Sequence, residues 1–223
     1  MSLQADQIIR SRRKTLSLEI RPDARLVVRA PWRLADSVIE DFVAQKKSWI
    51  LKKQNWVREK LKSLPPRRFV NGETFLYRGQ SYPLQIVPGQ RPSLIFNGVF
   101  QLSEKVGERA KEMMAGWYRD QARSLVHERA QHYSKIAGLV FENIRITGAR
   151  SRWGSCGPGG RLCFSWRLAM VPRPVLDYVV VHELVHLVEK NHSRRFWKKV
   201  EELFPDYPTC RRWLQENEPL TAL

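Results

Sequence analysis

Three of the five histidines in this 223-residue chain fall in one stretch, VVVHELVHLVEKNH, residues 179–192. His182 and His186 are four apart. On a helix that spacing puts both imidazoles on one face, about one turn from each other and within reach of one ion. Glu183 lies between them, turned away from that face, where it reaches a water on the ion more readily than the ion itself. Two imidazoles and a carboxylate in the order HExxH are the parts of a hydrolytic zinc centre: two ligands and a general base. The ion acidifies a water and the carboxylate takes its proton.

Such a centre wants a third protein ligand. His192 stands six residues after His186, in a connection where the chain can turn back. The spacing of His182, His186 and His192 equals that of the long metzincin pattern. Glu189, however, stands where that pattern has glycine, and no methionine follows Met170. The alternative third ligand is a glutamate of the next helix, Glu201 or Glu202. Three histidines suit one Zn²⁺, and another divalent ion such as nickel or copper is also accommodated.

The competing explanation is a buried helix whose histidines only pack. Val175, Leu176, Val179, Val180, Val181, Leu184, Val185, Leu187 and Val188 make the helix apolar nearly all round, so it belongs in a core. Burying two histidines and a glutamate without partners is costly, and a bound ion satisfies all three, which favours the metal. His127 and His132 are five apart and do not share a face.

The elements that position these residues follow from local signals. Residues 14–30 read as a hairpin with a turn at RPDAR, ended by Pro31. Residues 34–62 read as one helix with Asp36 as N-cap and an outer face of Lys46, Lys47, Lys52, Lys53, Arg58, Lys60 and Lys62. Ser63-Leu64-Pro65-Pro66 is a break, and Phe69 to Leu102 reads as a meander of short antiparallel strands. A long helix is expected over 104–137, stopped by Gly138. Strands follow at 140–150 and 161–168, joined by the turn-rich SRWGSCGPGG. The metal helix spans 174–189. A last helix begins after Ser193 and stops at Pro205, and the tail after Trp213 is polar. The expected fold class is α+β: a zincin-like domain over 104–223, with the HExxH helix and a small antiparallel sheet, preceded by a basic region of strands and one helix over 1–103.

The net charge is +17, and residues 1–70 hold 17 lysines and arginines against 7 acids. Such a surface attracts polyanions. No apolar run is long enough to span a bilayer, so no membrane partner is expected. Neither a secretory leader nor a disulfide framework is visible: Cys156, Cys163 and Cys210 are few and odd in number. A reducing, cytoplasmic location is expected.

RSRWGSC (150–156), LCFSWRLAM (162–170), PVLDYVVVHELVHL (174–187) and NHSRRFW (191–197) together resemble the YgjP-like metal-dependent hydrolases, relatives of the SprT-like and WLM zincin proteases. RRKTLSLEI and KKSWILKK near the N-terminus resemble them more loosely. The resemblance implies a zincin-type metallopeptidase-like domain, with zinc ligands His182, His186 and His192 and a catalytic Glu183. The strand at 162–168 is placed to line the cleft and pair with substrate backbone. Arg152, or Arg150, is a candidate to stabilise an oxyanion or hold a phosphate, and Trp153 to hold the turn.

The first functional expectation is a zinc metallopeptidase acting on a peptide or protein. The second is a metal-dependent hydrolase of nucleotide phosphoanhydrides, with arginines serving in place of the GxxxxGK[ST] loop that the chain lacks. The third is an association with nucleic acid through the basic surface, since SprT-like relatives act on proteins attached to DNA.

Overall fold

A computed structural model describes residues 3–21, 23–62, 67–150 and 152–217. The chain divides into two compact units, Met1–Pro66 and Arg67–Thr221. Among the described residues no helix is long and apolar enough to cross a membrane.

The first unit holds β1 (Gln7–Ser11), β2 (Ser17–Ile20) and β3 (Leu26–Pro31), in the order β1-β3-β2. β2 and β3 form the expected antiparallel hairpin, and β1 adds to β3 in parallel. The single helix expected over 34–62 is two: α1 (Asp36–Gln45) and α2 (Lys47–Lys62). The break is at Lys46, whose backbone leaves helical geometry at φ −99° and ψ 8°. Asp36 is the first helical residue rather than the cap, and it pairs with Arg10. Leu26, Val28 and Ala30 of the sheet pack on Ile39, Val43 and Ile50. Lys46, Lys47, Lys52 and Arg58 are exposed as expected.

The second unit begins with β4 (Thr74–Tyr77), β5 (Gln80–Val87), β6 (Leu94–Phe96) and β7 (Phe100–Ser103), ordered β4-β5-β7-β6. It is not a meander, because β7 returns beside β5 in parallel. A 3₁₀ turn, Glu104–Arg109, leads into α3 (Ala110–Ala137). Gly138 ends this helix in the left-handed conformation, φ 63°, that favours glycine. Met114, Tyr118, Ala122, Val126 and Ala130 recur every four residues and are fully buried. Their stripe makes α3 the spine of two cores. The larger aliphatic side chains of this stripe, Met114 and Val126, each stabilise by about 1.5–3 kcal/mol when fully buried.

After α3 come β8 (Asn143–Thr147), β9 (Gly154–Cys156) and β10 (Arg161–Ser165), in the order β8-β10-β9. β8 is parallel and β9 antiparallel to β10, so this sheet is mixed rather than antiparallel. Three helices complete the unit: α4 (Arg173–Val185), α5 (Arg194–Leu203) and α6 (Tyr207–Asn217). The last was not expected; it buries Cys210 and Leu214, four apart on one face.

The unit boundary falls at 66/67 and not at 103/104, because the β4–β5 turn is tied to the start of α4. The Arg78 and Gly79 amides each donate at 2.9 Å, to the carbonyls of Ala169 and Met170. Gly79, at φ +82°, lies so close to Pro172 that a Cβ there would sit 2.7 Å from its ring. The four-stranded sheet therefore belongs with the histidine helix, and the whole is α+β.

Candidate metal centre

Helix α4 starts well because Pro174 lies in its first turn, where no amide hydrogen is needed. Its run of valines is a poor helix former in isolation, but burial compensates: Val175, Leu176 and Val179 to Val181 are almost wholly enclosed. The α-helical ladder ends at Val185, and His186 continues it as the C-cap. Lys190 then donates to the His186 and Leu187 carbonyls at 2.9 and 3.1 Å. This closes the helix end and turns the chain so that His192 comes back over the helix. Ser193 caps α5 by accepting from the Phe196 amide.

The three histidines converge. His192 Nε2 lies 3.0 Å from His182 Nε2 and 3.2 Å from His186 Nε2. Ligands at about 2.0–2.1 Å around a tetrahedral ion stand roughly 3.3 Å apart, so the donor set is the right size for one first-row divalent cation. Three imidazole nitrogens cannot satisfy one another with protons alone, and proton uptake is disfavoured. Burial, then the other two histidines and Arg211, holds His182 down to about 3; burial, His186 and Arg211 also lower His192. His186 Nδ1 donates to the Glu189 carbonyl at 2.9 Å, which leaves its Nε2 lone pair facing the cluster. His182 Nδ1 is buried and meets no acceptor among the described residues. The residues fit a bound metal, and no other group of three potential ligands occurs among the described residues.

Phe196 floors the cluster. It is fully buried, and its ring centroid is 4.9, 4.5 and 4.8 Å from those of His182, His186 and His192. Trp197 stacks on His192 at 5.7 Å and 26°, which holds an otherwise exposed ligand candidate. Glu201 and Glu202 are exposed on α5 and lie outside the convergent group.

Glu183 is 5% exposed and has no hydrogen-bond partner among the described residues. Burial pushes its carboxyl up to about 8, with Arg152 pulling the other way. The carboxylate lies directly against Gly154, where an added Cβ would come within 2.6 Å of Glu183 Oε1. Arg152 is exposed; its charge reaches Glu183, not the histidine cluster. With Gly154 and Ser155 it lines a cavity of about 150 Å³. Arg150 is exposed, Trp153 is half-buried against the core below, and His127 and His132 remain on α3, apart from the cluster.

The strand expected to offer its edge, 162–168, does not. β10 is the central strand, with both sides occupied. Among the described residues the free edge beside α4 is β9. The Trp153 carbonyl accepts from the Ser165 amide at 2.8 Å, and the Gly157 amide donates to the Arg161 carbonyl at 2.7 Å. By the alternation of an antiparallel ladder, Gly154 and Cys156 aim their backbone groups away from β10.

Residues 14–217 match the YgjP-like metallopeptidase domain. The chain belongs to the YgjP-like metallopeptidase family. It therefore carries a metal-dependent peptidase domain, and the three-histidine cluster is where this YgjP-like chain gathers candidate ligands. No curated protein matches it. Among solved structures, the metallopeptidase zymogen abylysin of Pyrococcus abyssi is similar over 41% of this chain and 93% of its own, at 22% identity and a TM-score of 0.38.

Sequence reasoning missed Gly154, Phe196, Trp197 and Arg211 as parts of the YgjP-like site. Gly154, Phe196 and Trp197 lie in stretches that carry the family resemblance, RSRWGSC and NHSRRFW, but Gly154 reads there as a turn residue and nothing in the types of the other two points to these contacts; Arg211 had no signal.

Proposed function

We propose that the chain is a zinc-dependent peptidase in which His182, His186 and His192 hold one Zn²⁺ and Glu183 is the general base. The observation that supports this best is the convergence of three Nε2 atoms next to a buried carboxylate that has no hydrogen-bond partner among the described residues. A divalent ion, when bound there, supplies Lewis acidity toward a carbonyl oxygen and acidifies a water.

The chain's own residues do the rest. The free edge of β9 pairs with an extended peptide through the Gly154 and Cys156 backbone groups. Glu183 takes a proton from the attacking water and returns it to the leaving amine. Its raised affinity for protons suits a group that must do both near neutrality. Gly154 leaves room for the carboxylate to stand upright against the strand. Arg152 favours the ionised form of Glu183 and stands beside the cavity, a better position for meeting substrate than for stabilising an oxyanion at the metal.

The test is Glu183→Gln. The variant is expected to keep its metal and lose peptide turnover by about 10²–10⁴-fold. Cleavage at the wild-type rate sinks the assignment of the base.

A further inference from the structure

The charged groups around the cluster are mostly positive. From residue 143 to 176 the chain has six arginines and no acid. Arg161 and Arg173 find Glu142 and Glu128. Arg145, Arg150, Arg152 and Arg167 have no acidic partner among the described residues. Arg167 is spent on the Gly148 and Ala149 carbonyls and on the face of Trp166. Arg152 is exposed at the cavity beside Gly154, and Gly154 touches the Glu183 carboxylate.

A second cation stands behind His192. The Arg211 guanidinium of α6 lies over the Trp197 ring at 5.0 Å, and the same ring stacks on His192. Arg211 also makes no ion pair among the described residues. Lys190 is committed to the end of α4. Two arginines without an acidic partner among the described residues thus adjoin the site, Arg152 beside the candidate base and Arg211 behind the third candidate ligand. The exposed Arg194 and Arg195 follow soon after His192 in the chain. The cavity at Arg152, about 150 Å³, is below the roughly 300 Å³ of a small-molecule site, and its lining includes neither a candidate ligand nor Glu183. The two cations adjoin different members of the site, which fits an extended ligand better than one compact anion.

We propose that this cleft selects an acidic peptide, an extended segment whose carboxylates meet Arg152 at the Glu183 end and Arg211 at the His192 end. The inference rests on the peptidase reading and names its substrate class. Both arginines are exposed, and each adds charge where backbone pairing gives affinity without sequence preference; zinc content of the Arg211→Glu variant is measured alongside, because Arg211 lies over the Trp197 ring that stacks on His192. Exposed pairs are individually weak, so about fivefold in affinity is expected from each, falling with salt.

The experiment is fluorescence anisotropy with the full chain carrying Glu183→Gln, loaded with zinc, against three labelled peptides of equal length that are acidic, neutral and basic. The acidic peptide is expected to bind tightest. Arg152→Glu and Arg211→Glu, each added singly, should each remove about fivefold, and together they should turn the preference toward the basic peptide. Equal binding of neutral and acidic peptides overturns the proposal. So does an acidic preference that survives both reversals, or tight binding of a nucleoside triphosphate with no preference among peptides. Wild-type cleavage of all three peptides at one rate overturns this inference alone. Acidic preference in binding with no cleavage of any peptide supports the cleft's selectivity and counts against the peptidase reading alone.

Discussion

The two ends of α4 each bury a carboxylate and treat it in opposite ways. Near the N-terminus, Asp177 is 7% exposed. Arg129 of α3 donates to both its oxygens at 2.6 and 2.9 Å, and the Tyr133 hydroxyl approaches one of them at 3.4 Å. Near the C-terminus, Glu183 is buried as deeply; it lies against Gly154, has no hydrogen-bond partner among the described residues, and feels Arg152 at longer range. A carboxylate that ties two helices together is neutralised at once by a fork of donors. Glu183 has no such fork among the described residues, which is what its proposed role of exchanging a proton requires.

That contrast is testable by removal. Asp177→Ala strands the Arg129 charge and is expected to destabilise by about 3–5 kcal/mol in urea unfolding. Glu183→Gln replaces a buried carboxyl that has no hydrogen-bond partner among the described residues by a neutral amide of the same shape and should leave stability unchanged or higher. Equal losses would mean that the two acids do the same job.

Gly154→Ala sharpens the contrast from the other side. The added methyl would overlap the Glu183 carboxylate, so a loss of about 1–3 kcal/mol and a fall in turnover are expected, with metal content unchanged. Full activity in this variant would show that the carboxylate need not stand where it does.

The smallest effect concerns the thiols of the same core. Burial raises Cys156, with Glu183 adding to the rise against Lys190, and raises Cys210 to about 11. A raised pKa means less thiolate at a given pH, so alkylation of both should lag a free thiol at pH 8 and catch up only under more alkaline conditions. Rapid labelling of Cys156 at pH 8 contradicts this half-buried setting.

Much of this was legible in the sequence where the signal is local. His182, Glu183 and His186 share a helix with an unbroken apolar run, so spacing alone brings them together. Ser193 marks the start of α5, and Gly138 the end of α3, by their own chemistry. What could not be read depends on distant partners. β9 is a strand only because Gly154 to Cys156 pair with β10; glycine and serine there give no strand preference. That β10 is central rather than an edge requires knowing that β9 exists. The unit boundary rests on the Gly79–Pro172 contact between segments far apart in the chain. α6 hides behind Pro205 and Pro208 and buries only Cys210 and Leu214, too short an apolar pattern to stand out.

The central claim is that three histidines hold one ion, and metal analysis by mass spectrometry tests it most directly. Untagged wild type, His192→Ala and the double variant Glu201→Ala with Glu202→Ala would be purified in parallel. The account predicts near-stoichiometric zinc in wild type and in the double glutamate variant, and its loss in His192→Ala. Zinc retained by His192→Ala and lost from the glutamate variant, or no zinc taken up by wild type after addition, would contradict it.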